Sequence, residues 1–461
     1  MASTHSYFHS NETDKQTLHR RIIPNEFQQS TQQERWNDLR DFLVSELSDD
    51  TGLEITSWLQ GSYKFGTQTR PVKRGDEFDI DLGIYFNWDG ARDAGVYSPN
   101  QIRDLVQERL IKYSSEVGDD TKVLIPPKDR CLRIHFSGNF HVDVPTYHLD
   151  KITDIRSLAV TGDDWEESDP KAFYLWFQSL TEEPKSAQLK RLIRYFKIWS
   201  TLHIEKGPSS ILITILVAEI YIQLSEAELN GDDLALKNIA EKIYERLSSY
   251  SVVRNPVDET ENINRLSDEE NVIFLTKLNE LVTKANEALS ADSEITAVSV
   301  WSEIFLHLFP APVIDESKIN NKAIVAVQFE PIVHVTATPV SNIHRQYQGI
   351  NAIGPIPRDC NLKFQLTNAQ DLPANAKVQW VVRNEGEEAE YVNDMGHFAG
   401  NDNFARHEHS AYKGTHFMDI IVTSPFRGVI GFQRIPVTIS GMFMPPRNPK
   451  KPGYTRIPKR K

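Results

Sequence analysis

QGSYKFGTQTRPVKRGDEFDIDLGIYF, residues 60–86, sets the architecture of the chain. A Gly-Ser turn leads through a basic loop into an apolar strand that carries Asp79 and Asp81. Because side chains alternate along a strand, Phe78 and Ile80 face the core while the two aspartates share the opposite face. An apolar strand rarely carries two carboxylates two positions apart unless a cation meets them there.

A second pair of predicted strands adds a third aspartate. CLRIHF (131–136) and FHVDVPTY (140–147) are separated by turn residues, which favours a hairpin. His141 and Asp143 alternate there with apolar residues, as the two aspartates do in the first strand. Three aspartates on two adjacent strands repel one another unless metal neutralises them. Oxygen ligands without cysteine suit Mg²⁺ or Mn²⁺, which also bind substrate phosphates.

Gly61 and Ser62 supply the complementary part of the predicted site. A glycine turn lets backbone N–H groups approach a phosphate, and the Ser62 hydroxyl adds another donor. With the aspartates, this pair predicts a nucleoside triphosphate held by two metal ions. Each part alone has an ordinary explanation, since a Gly-Ser pair is usually a turn, a lone Asp-x-Asp is usually solvated, and Asp143 can cap a turn. The order of the three parts is more specific than any one of them.

The composition is that of an ordinary globular protein. Its 461 residues, 39% of them hydrophobic and 25% charged, suffice for two or three domains. A formal net charge of −13 argues against a surface built for duplex nucleic acid, although a local basic groove remains open. Cys131 and Cys360 provide neither a disulfide framework nor a cysteine-rich metal site, which fits a reducing cytosol.

We expect a soluble, cytoplasmic protein without membrane insertion. The N-terminal MASTHSYFHSNETDKQT lacks the basic start and apolar run of a signal peptide. The most apolar segment, ILITILVAEIYIQL, is too short to span a bilayer and carries Glu219, so we interpret it as a buried helix.

The pattern along the chain predicts an α+β protein with a separate, mainly β C-terminal domain. The predicted parts are a mobile leader (1–25), an α+β core with a helical extension (26–310), a linker (311–329), a β-rich domain (330–445) and a basic tail (446–461). The pattern is helical from about 168 to 308, and short β-rich runs follow the linker. The tail carries seven Lys or Arg without an acid, so it is expected to be disordered or docked by charge.

Five segments together resemble a known family: GSYKFGTQTRP, FDIDLGIYF, FHVDVPTY, WEESDPKAFYLWF and LKRLIRYFKIWS…GPSSI. They resemble the bacterial cGAS/DncV-like nucleotidyltransferases (CD-NTases) of the SMODS class, within the polymerase β-like superfamily. The resemblance covers roughly residues 26–310 and implies a polymerase β-like nucleotidyltransferase core with a helical domain. After about Ala323, WVVRNEGEEA and RHEHSAYKGTHF resemble the AGS-C domain, a sensor-type domain.

The resemblance assigns roles to individual residues of the opening motif and the hairpin. Asp79, Asp81 and Asp143 match the family's metal ligands, and Asp143 is also placed to activate the attacking hydroxyl. Gly61 and Ser62 match its phosphate-binding turn. These positions are the implied catalytic and metal site.

Further candidates lie on two predicted helices. Lys197 corresponds to the family lysine before the tryptophan of its helix and is the implied triphosphate contact. Lys190 and Arg194 lie on the same helix, where solvation and phosphate contact remain open alternatives. Ser209 and Ser210 open the next helix, where hydroxyls and free N–H groups can meet phosphate, but they can equally be simple caps.

The β-rich domain offers aromatic and histidine side chains instead of a carboxylate cluster. Trp380 is expected in the core. The run 406–409 (RHEH) matches no strong metal-ligand spacing, so we favour a polar recognition surface for a ligand of this domain, with Tyr412 and His416 as candidates.

The family resemblance implies a template-independent nucleotidyltransferase that makes a nucleotide second messenger from nucleoside triphosphates and releases pyrophosphate. It also implies a role in anti-phage defence, where the product acts on a separately encoded effector. Whether the product is a cyclic di- or trinucleotide or a linear oligonucleotide stays open, because the same metal chemistry serves each. The choice between ribo and deoxy substrates stays open too.

Two alternatives remain at this point. Processive synthesis of linear oligonucleotides, DNA among them, gains support from the basic tail, which can hold a polyanion and offers Tyr454 or Thr455 as a protein primer. A catalytically silent sensor, with a ligand bound by the β domain, is disfavoured by the three aspartates.

Overall fold

The computed structural model describes residues 4–12, 16–72, 76–118, 120–312, 329–401, 403–424 and 428–443. The chain divides into two units, Met1–Pro310 with Tyr391–Asp394 and Ala311–Glu390 with Met395–Lys461. Helices and strands are mixed in the first unit and strands dominate the second, which confirms the predicted α+β class with a mainly β C-terminal part. None of the described helices is long and apolar enough to cross a membrane.

An eight-stranded sheet organises the described part of the first unit. Its strands are β1 (Glu54–Gln60), β2 (Phe78–Asn87), β3 (Thr121–Val123), β4 (Leu132–Phe136), β5 (Phe140–Val144), β6 (Thr146–Asp150), β7 (Ile155–Val160) and β8 (Asp164–Glu167). β1 pairs antiparallel with one edge of β2. At the other edge, β5 runs parallel to the first half of β2 and β6 runs parallel to its second half. Pro145 separates β5 from β6 because proline has no N–H to donate to a sheet.

The alternation predicted for β2 is confirmed. Phe78 and Ile80 are buried, whereas Asp79 is exposed. β4 and β5 form the predicted antiparallel hairpin, and Asn139 in its turn has a φ of 61°, a left-handed conformation that asparagine tolerates. The sequence pattern did not predict β1, which leads directly into Gly61.

Helices cover this sheet and form the extension after it. They are α1 (His5–Phe8), α2 (Leu18–Ile22), α3 (Glu26–Thr51), α4 (Gly61–Phe65), α5 (Pro99–Val117), α6 (Pro170–Ser179), α7 (Lys185–His203), α8 (Ser210–Tyr221), α9 (Asp232–Ser249), α10 (Asp268–Ser290) and α11 (Glu294–Phe305). α3 begins with a capping box at Asn25 and ends at Gly52. Its buried leucines, Leu39, Leu43 and Leu47, join the core of the sheet.

A short hairpin interrupts the region whose pattern predicts helices. β9 (Arg254–Asn255) and β10 (Asp258–Asn262) pair antiparallel between α9 and α10. Side chains there bond to the backbone: Asp258 Oδ1 accepts from Thr260 N at 3.0 Å, and Asn262 Oδ1 accepts from Val253 N at 3.0 Å. Such bonds compete with helix formation, which explains why the helical expectation is wrong here.

The mobile leader predicted for residues 1–25 is wrong for the described part of that segment. Phe8 is fully buried, and its ring packs edge-on against Trp301 and Phe309 with centroids 4.8 and 5.1 Å away. The buried Thr4 donates its hydroxyl to Asp233 at 2.8 Å. A few aromatic residues are enough to anchor a polar segment, because each one buries a large apolar area.

The described part of the second unit is built from two sheets whose strands are mostly antiparallel. Its strands are β11 (Val333–Pro339), β12 (Tyr347–Ile350), β13 (Ile353–Arg358), β14 (Cys360–Leu366), β15 (Lys377–Arg383), β16 (Gly396–Asn401), β17 (Ala405–His409), β18 (Gly414–Ser424) and β19 (Gly428–Phe443), with a short helix α12 (Glu387–Tyr391). One sheet has the order β12-β11-β14-β17 and the other β13-β19-β18-β15-β16. Both contribute to one core, in which Trp380 is fully buried as predicted.

The recognition surface predicted around Tyr412 and His416 is wrong for His416. Its side chain is only 6% exposed, and Nε2 lies 3.0 Å from the backbone oxygen of Tyr412. Two histidines contact carboxylates nearby: His397 Nε2 on β16 lies 3.1 Å from Glu408 Oε1, and His409 Nε2 on β17 lies 2.9 Å from Asp359 Oδ1. The predicted tail and most of the predicted linker lie outside the described residues.

Candidate active site

A cleft in the first unit collects most of the predicted site residues. It encloses about 1010 Å³ and is lined by the central sheet, α4, α7, the start of α8 and the β9–β10 hairpin. Seven of the eight predicted residues line it: Gly61, Ser62, Asp79, Asp81, Lys197, Ser209 and Ser210. The eighth, Asp143, is buried on β5 next to Asp81 of β2.

Strand register places the carboxylates of two strands side by side. Asp81 is the partner of Gln60 on β1 and of Asp143 on β5, and Asp143 is the partner of Arg133 on β4. These four residues form a line across four strands, which we call the aspartate row. Because side chains two positions apart share a face, Asp79 extends on the same side as Asp81.

The carboxylate of Asp143 is stabilised in its ionised form. Arg133 donates to both of its oxygens, with Nε 2.5 Å from Oδ1 and Nη2 2.8 Å from Oδ2, and Lys128 Nζ lies 3.3 Å from Oδ2. Burial opposes the charge, but the hydrogen bonds and positive charge of Arg133, with Lys128, hold the pKa of Asp143 below its usual value.

Asp81 has the opposite electrostatic environment. Burial, then the negative charges of Asp79 and Asp143, raise its pKa to about 8. A divalent cation at this point would relieve the repulsion and restore the carboxylate form. Three carboxylates that offer only oxygen fit Mg²⁺ or Mn²⁺ in their donor chemistry.

Gly61 lies directly against the carboxylate of Asp81. It is the first residue of α4, with a φ of +60°, and a Cβ there would lie 1.9 Å from Asp81 Oδ2. Only glycine therefore allows this approach. Ser62 follows it, and its hydroxyl has no hydrogen-bond partner within the described residues, while its backbone oxygen accepts from Thr67 N at 2.9 Å.

Lys197 reaches the cleft from the buried side of α7. Its Nζ donates to Thr67 Oγ1 at 3.2 Å, and burial, then the positive charge of Arg194, lower its pKa to about 7. Arg194 itself donates to the backbone oxygens of Gly66 at 2.5 Å and Gln68 at 3.2 Å. Arg194 thus supports the loop after α4, rather than being solvated.

The two serines at the start of α8 differ in their hydrogen bonds. Ser209 is the N-cap, with Oγ accepting from Leu212 N at 3.3 Å, so the capping alternative holds for it. Ser210 is the exposed first residue of α8 and also lines the cleft. Backbone N–H groups at a helix start commonly bind anions, so the start of α8 is a candidate phosphate contact.

Two family models match the chain. Residues 55–147 match the nucleotidyltransferase domain of cyclic GMP-AMP synthase DncV-like proteins, and residues 316–440 match the adenylyl/guanylyl and SMODS C-terminal sensor domain. A cyclic GMP-AMP synthase of Escherichia albertii is 29% identical over 438 residues, covering 94% of this chain and 95% of that protein. The chain carries a DncV-like nucleotidyltransferase domain, followed by a region that matches a C-terminal sensor domain. The resemblance found in its motifs is confirmed.

Other relatives extend the comparison of this nucleotidyltransferase. A c-di-GMP synthase of Roseivirga ehrenbergii is 27% identical over 267 residues, which cover 50% of this chain and 68% of the relative. The apo crystal structure of Vibrio cholerae DncV superposes with a TM-score of 0.57 at 20% identity, covering 66% of this chain and 96% of that one. This likeness shows a shared fold.

Part of the cleft wall of the nucleotidyltransferase was not predicted. The β9–β10 hairpin contributes Asp258 and Glu261, and the start of β7 contributes Arg156, which pairs with Asp169 at 3.2 Å. No periodicity or short motif marks these positions, since they lie in turns and at strand ends. Only a three-dimensional arrangement brings them to the cleft.

Proposed function

We propose that the enzyme joins nucleoside triphosphates into a nucleotide second messenger in this cleft and releases pyrophosphate. The observation that carries the proposal is the register of Asp81 and Asp143 on adjacent strands, with Gly61 against the Asp81 carboxylate. Relatives described as cyclic GMP-AMP synthase and c-di-GMP synthase support this product class. A cyclic dinucleotide is the product we expect.

We assign two divalent cations, Mg²⁺ or Mn²⁺, to Asp79, Asp81 and Asp143. When bound, they would lower the pKa of the attacking hydroxyl and offset charge on the leaving pyrophosphate. The carboxylate oxygens that the three aspartates offer and the crowding of negative charge at Asp81 support the assignment.

Within this proposal Asp143 acts as a negatively charged cation ligand and not as a general base. The family resemblance places it to activate the attacking hydroxyl, but Arg133 engages both of its oxygens and lowers its pKa. A carboxylate of low pKa is a weak general base. We therefore assign Asp143 to cation binding and Arg133 to holding its orientation.

Ser62 and Lys197 are the proposed triphosphate contacts. The hydroxyl of Ser62 has no partner among the described residues and can donate to phosphate, and Lys197 is held by Thr67 beside the same loop. Phosphate charges near Lys197 would raise its pKa from about 7, so triphosphate binding would favour the ammonium form.

Product analysis tests the proposed function. The purified chain is incubated with each single NTP and dNTP, and with pairs of them, in Mg²⁺ or Mn²⁺, and products are identified by mass spectrometry. We expect a cyclic dinucleotide and pyrophosphate, and no product with excess chelator. A ladder of linear oligomers would favour processive synthesis instead, and absence of product with every combination would favour a silent sensor.

Replacing Ser62 by alanine is expected to weaken triphosphate binding more than it slows the chemical step. A hydrogen bond to a charged group contributes about 1.5 to 3 kcal/mol, which corresponds to a roughly 10- to 100-fold rise in KM. Steady-state kinetics with varied triphosphate measure the effect. A loss confined to kcat would contradict the ground-state role.

Ser209→Ala is the matched control for this variant. Both serines line the cleft, but Ser209 caps α8 through Leu212 N. Its replacement should therefore cost about 1 kcal/mol of unfolding free energy, whereas Ser62→Ala should leave stability unchanged. Equal stability losses would mean that the Ser62 hydroxyl has a structural partner.

We also propose that the second unit is a sensor for a ligand and that the product acts on a separately encoded effector in anti-phage defence. The match to a C-terminal sensor domain supports the first part. The family resemblance of the nucleotidyltransferase motifs supports the second. The unit's described strands carry none of the three-ligand carboxylate or histidine clusters, which favours a regulatory role over a catalytic one.

A further inference from the structure

A second row of polar side chains crosses the sheet next to the aspartate row. Asp79 on β2 is the partner of His141 on β5, and His141 is the partner of His135 on β4. Glu77 precedes β2 and lies beside both imidazoles. We call Glu77, His135 and His141 the histidine cluster. It shares a face of the sheet with Asp81 and Asp143, one pleat away.

The three side chains of the histidine cluster bring one ligand atom each close together. Glu77 Oε2 lies 2.7 Å from His135 Nδ1 and 2.9 Å from His141 Nδ1. All three atoms lie within 4.8 Å of one another. The ligand atoms of a tetrahedral ion with bonds of about 2.0 to 2.2 Å lie slightly farther apart than two hydrogen-bonded atoms do. A small outward shift of the three side chains would therefore make room for the ion.

Burial and access both suit a bound ion. The side chain of His141 is 9% exposed, whereas those of His135 and Glu77 are 30% and 27% exposed. The cluster is therefore anchored in the sheet on one side and open to solvent on the other. Solvent can then supply the fourth ligand.

We propose that the histidine cluster binds a zinc-type divalent ion, at a site separate from the aspartate row. Two imidazole nitrogens and one carboxylate oxygen are borderline ligands that suit Zn²⁺, whereas Mg²⁺ prefers oxygen alone. The donor chemistry thus distinguishes the two neighbouring sites. Each imidazole would hold the ion through the Nδ1 lone pair and carry its single proton on Nε2, as a neutral ring does.

The second nitrogen of His141 connects this ion to the proposed catalytic carboxylates. His141 Nε2 lies 2.9 Å from Asp79 Oδ1. Metal-ligating histidines commonly donate their other N–H to a carboxylate, which fixes the ring and strengthens the metal bond. Within the described residues His141 Nε2 makes no well-oriented hydrogen bond, so we assign Asp79 as the positioning residue that accepts this N–H when the ion binds, in addition to its proposed role in the cleft.

Metal binding to the full-length chain tests the proposal without reference to product formation. The protein is freed of metal, and Co²⁺ and Zn²⁺ are titrated in the presence of millimolar Mg²⁺, with visible absorption and calorimetry as readouts. We expect one Co²⁺ or Zn²⁺ per chain despite the excess Mg²⁺, and a thermal midpoint that rises with Zn²⁺. No uptake under these conditions would overturn the site and leave Glu77 hydrogen-bonded to the two imidazoles.

Variants locate the ion. His135→Ala and the isosteric Glu77→Gln should each weaken Zn²⁺ binding by more than about 100-fold, since loss of a supporting partner alone costs about 10- to 100-fold. Asp79→Asn should cost about 10- to 100-fold for that reason. His344→Ala, at an exposed histidine of the second unit, should have no effect. Circular dichroism of the metal-free variants confirms that each is folded.

A competing arrangement is excluded by one further variant. Asp79, His141 and Asp143 also bring ligand atoms within 4.8 Å of one another. If Asp143→Asn abolishes Zn²⁺ binding while His135→Ala and Glu77→Gln retain it, the ion occupies that group and the proposal is wrong. Failure of nucleotide synthesis alone would not bear on it, because binding is measured without substrate.

Discussion

Replacing Asp81 by asparagine is expected to reduce nucleotide transfer by more than about 100-fold while the protein stays folded. The reason is that Asp81 is the proposed cation ligand at the centre of the aspartate row, and loss of even a supporting partner of a metal site costs about 10- to 100-fold. Initial rates of pyrophosphate release measure the loss. The double variant Asp79→Ala with Asp81→Ala should have no detectable product.

The same substitution should raise stability in the absence of divalent cations. Burial and two nearby negative charges raise the pKa of Asp81 from 3.8 to about 8, so the folded protein binds this proton more tightly than the unfolded chain does. Its stabilising contribution is full below about pH 4 and is lost as pH rises through about 8. The gain in Asp81→Asn should therefore be absent at pH 4, grow toward pH 8 and then level off.

Denaturant unfolding with chelator across this pH range checks the stability effect, with Asp89→Asn as control. Asp89 is an exposed aspartate shortly after the end of β2, so its replacement should change neither rate nor stability. Excess Mg²⁺ should narrow the difference between wild type and Asp81→Asn, because only the wild type gains from cation binding. Undiminished transfer by Asp81→Asn would remove the aspartate row from the mechanism.

The central strand and the hairpin were predictable because period-2 alternation has a simple physical cause. Asp79 must face away from Phe78 and Ile80 wherever that strand lies. The same logic placed Asp143 on the next strand, and register then brought it beside Asp81. Local pattern and strand pairing agree there, which is why the positions of the candidate site's carboxylates could be predicted from the sequence.

Other features depend on tertiary packing that no local pattern records. The polar segment around Phe8 is fixed by aromatic rings almost 300 positions later in the chain. Lys197 occupies the buried side of its helix, although a charged residue ordinarily indicates a solvated face. His416 is a second such case, because its polar side chain suggests a surface position but is buried, with Nε2 3.0 Å from the backbone oxygen of Tyr412.

Replacing Gly61 by alanine is expected to abolish transfer nearly as fully as loss of Asp81. The new Cβ would lie 1.9 Å from Asp81 Oδ2, so the carboxylate must leave its position in the aspartate row. The φ of +60° adds a backbone cost of about 1 to 2 kcal/mol for a residue with a side chain. The expected result is a rate loss of more than about 100-fold with modest destabilisation.

Gly66→Ala separates the two causes, because it imposes the backbone strain without the collision. Gly66 ends α4 with a φ of +66°, and a Cβ there meets only Lys190 Cδ at 3.9 Å. Both variants should lose similar unfolding free energy, measured with denaturant, but only Gly61→Ala should lose activity. If Gly66→Ala loses as much activity as Gly61→Ala, strain in α4 explains the defect. If instead Gly61→Ala remains active, the close approach of this glycine to Asp81 is not required for the chemistry.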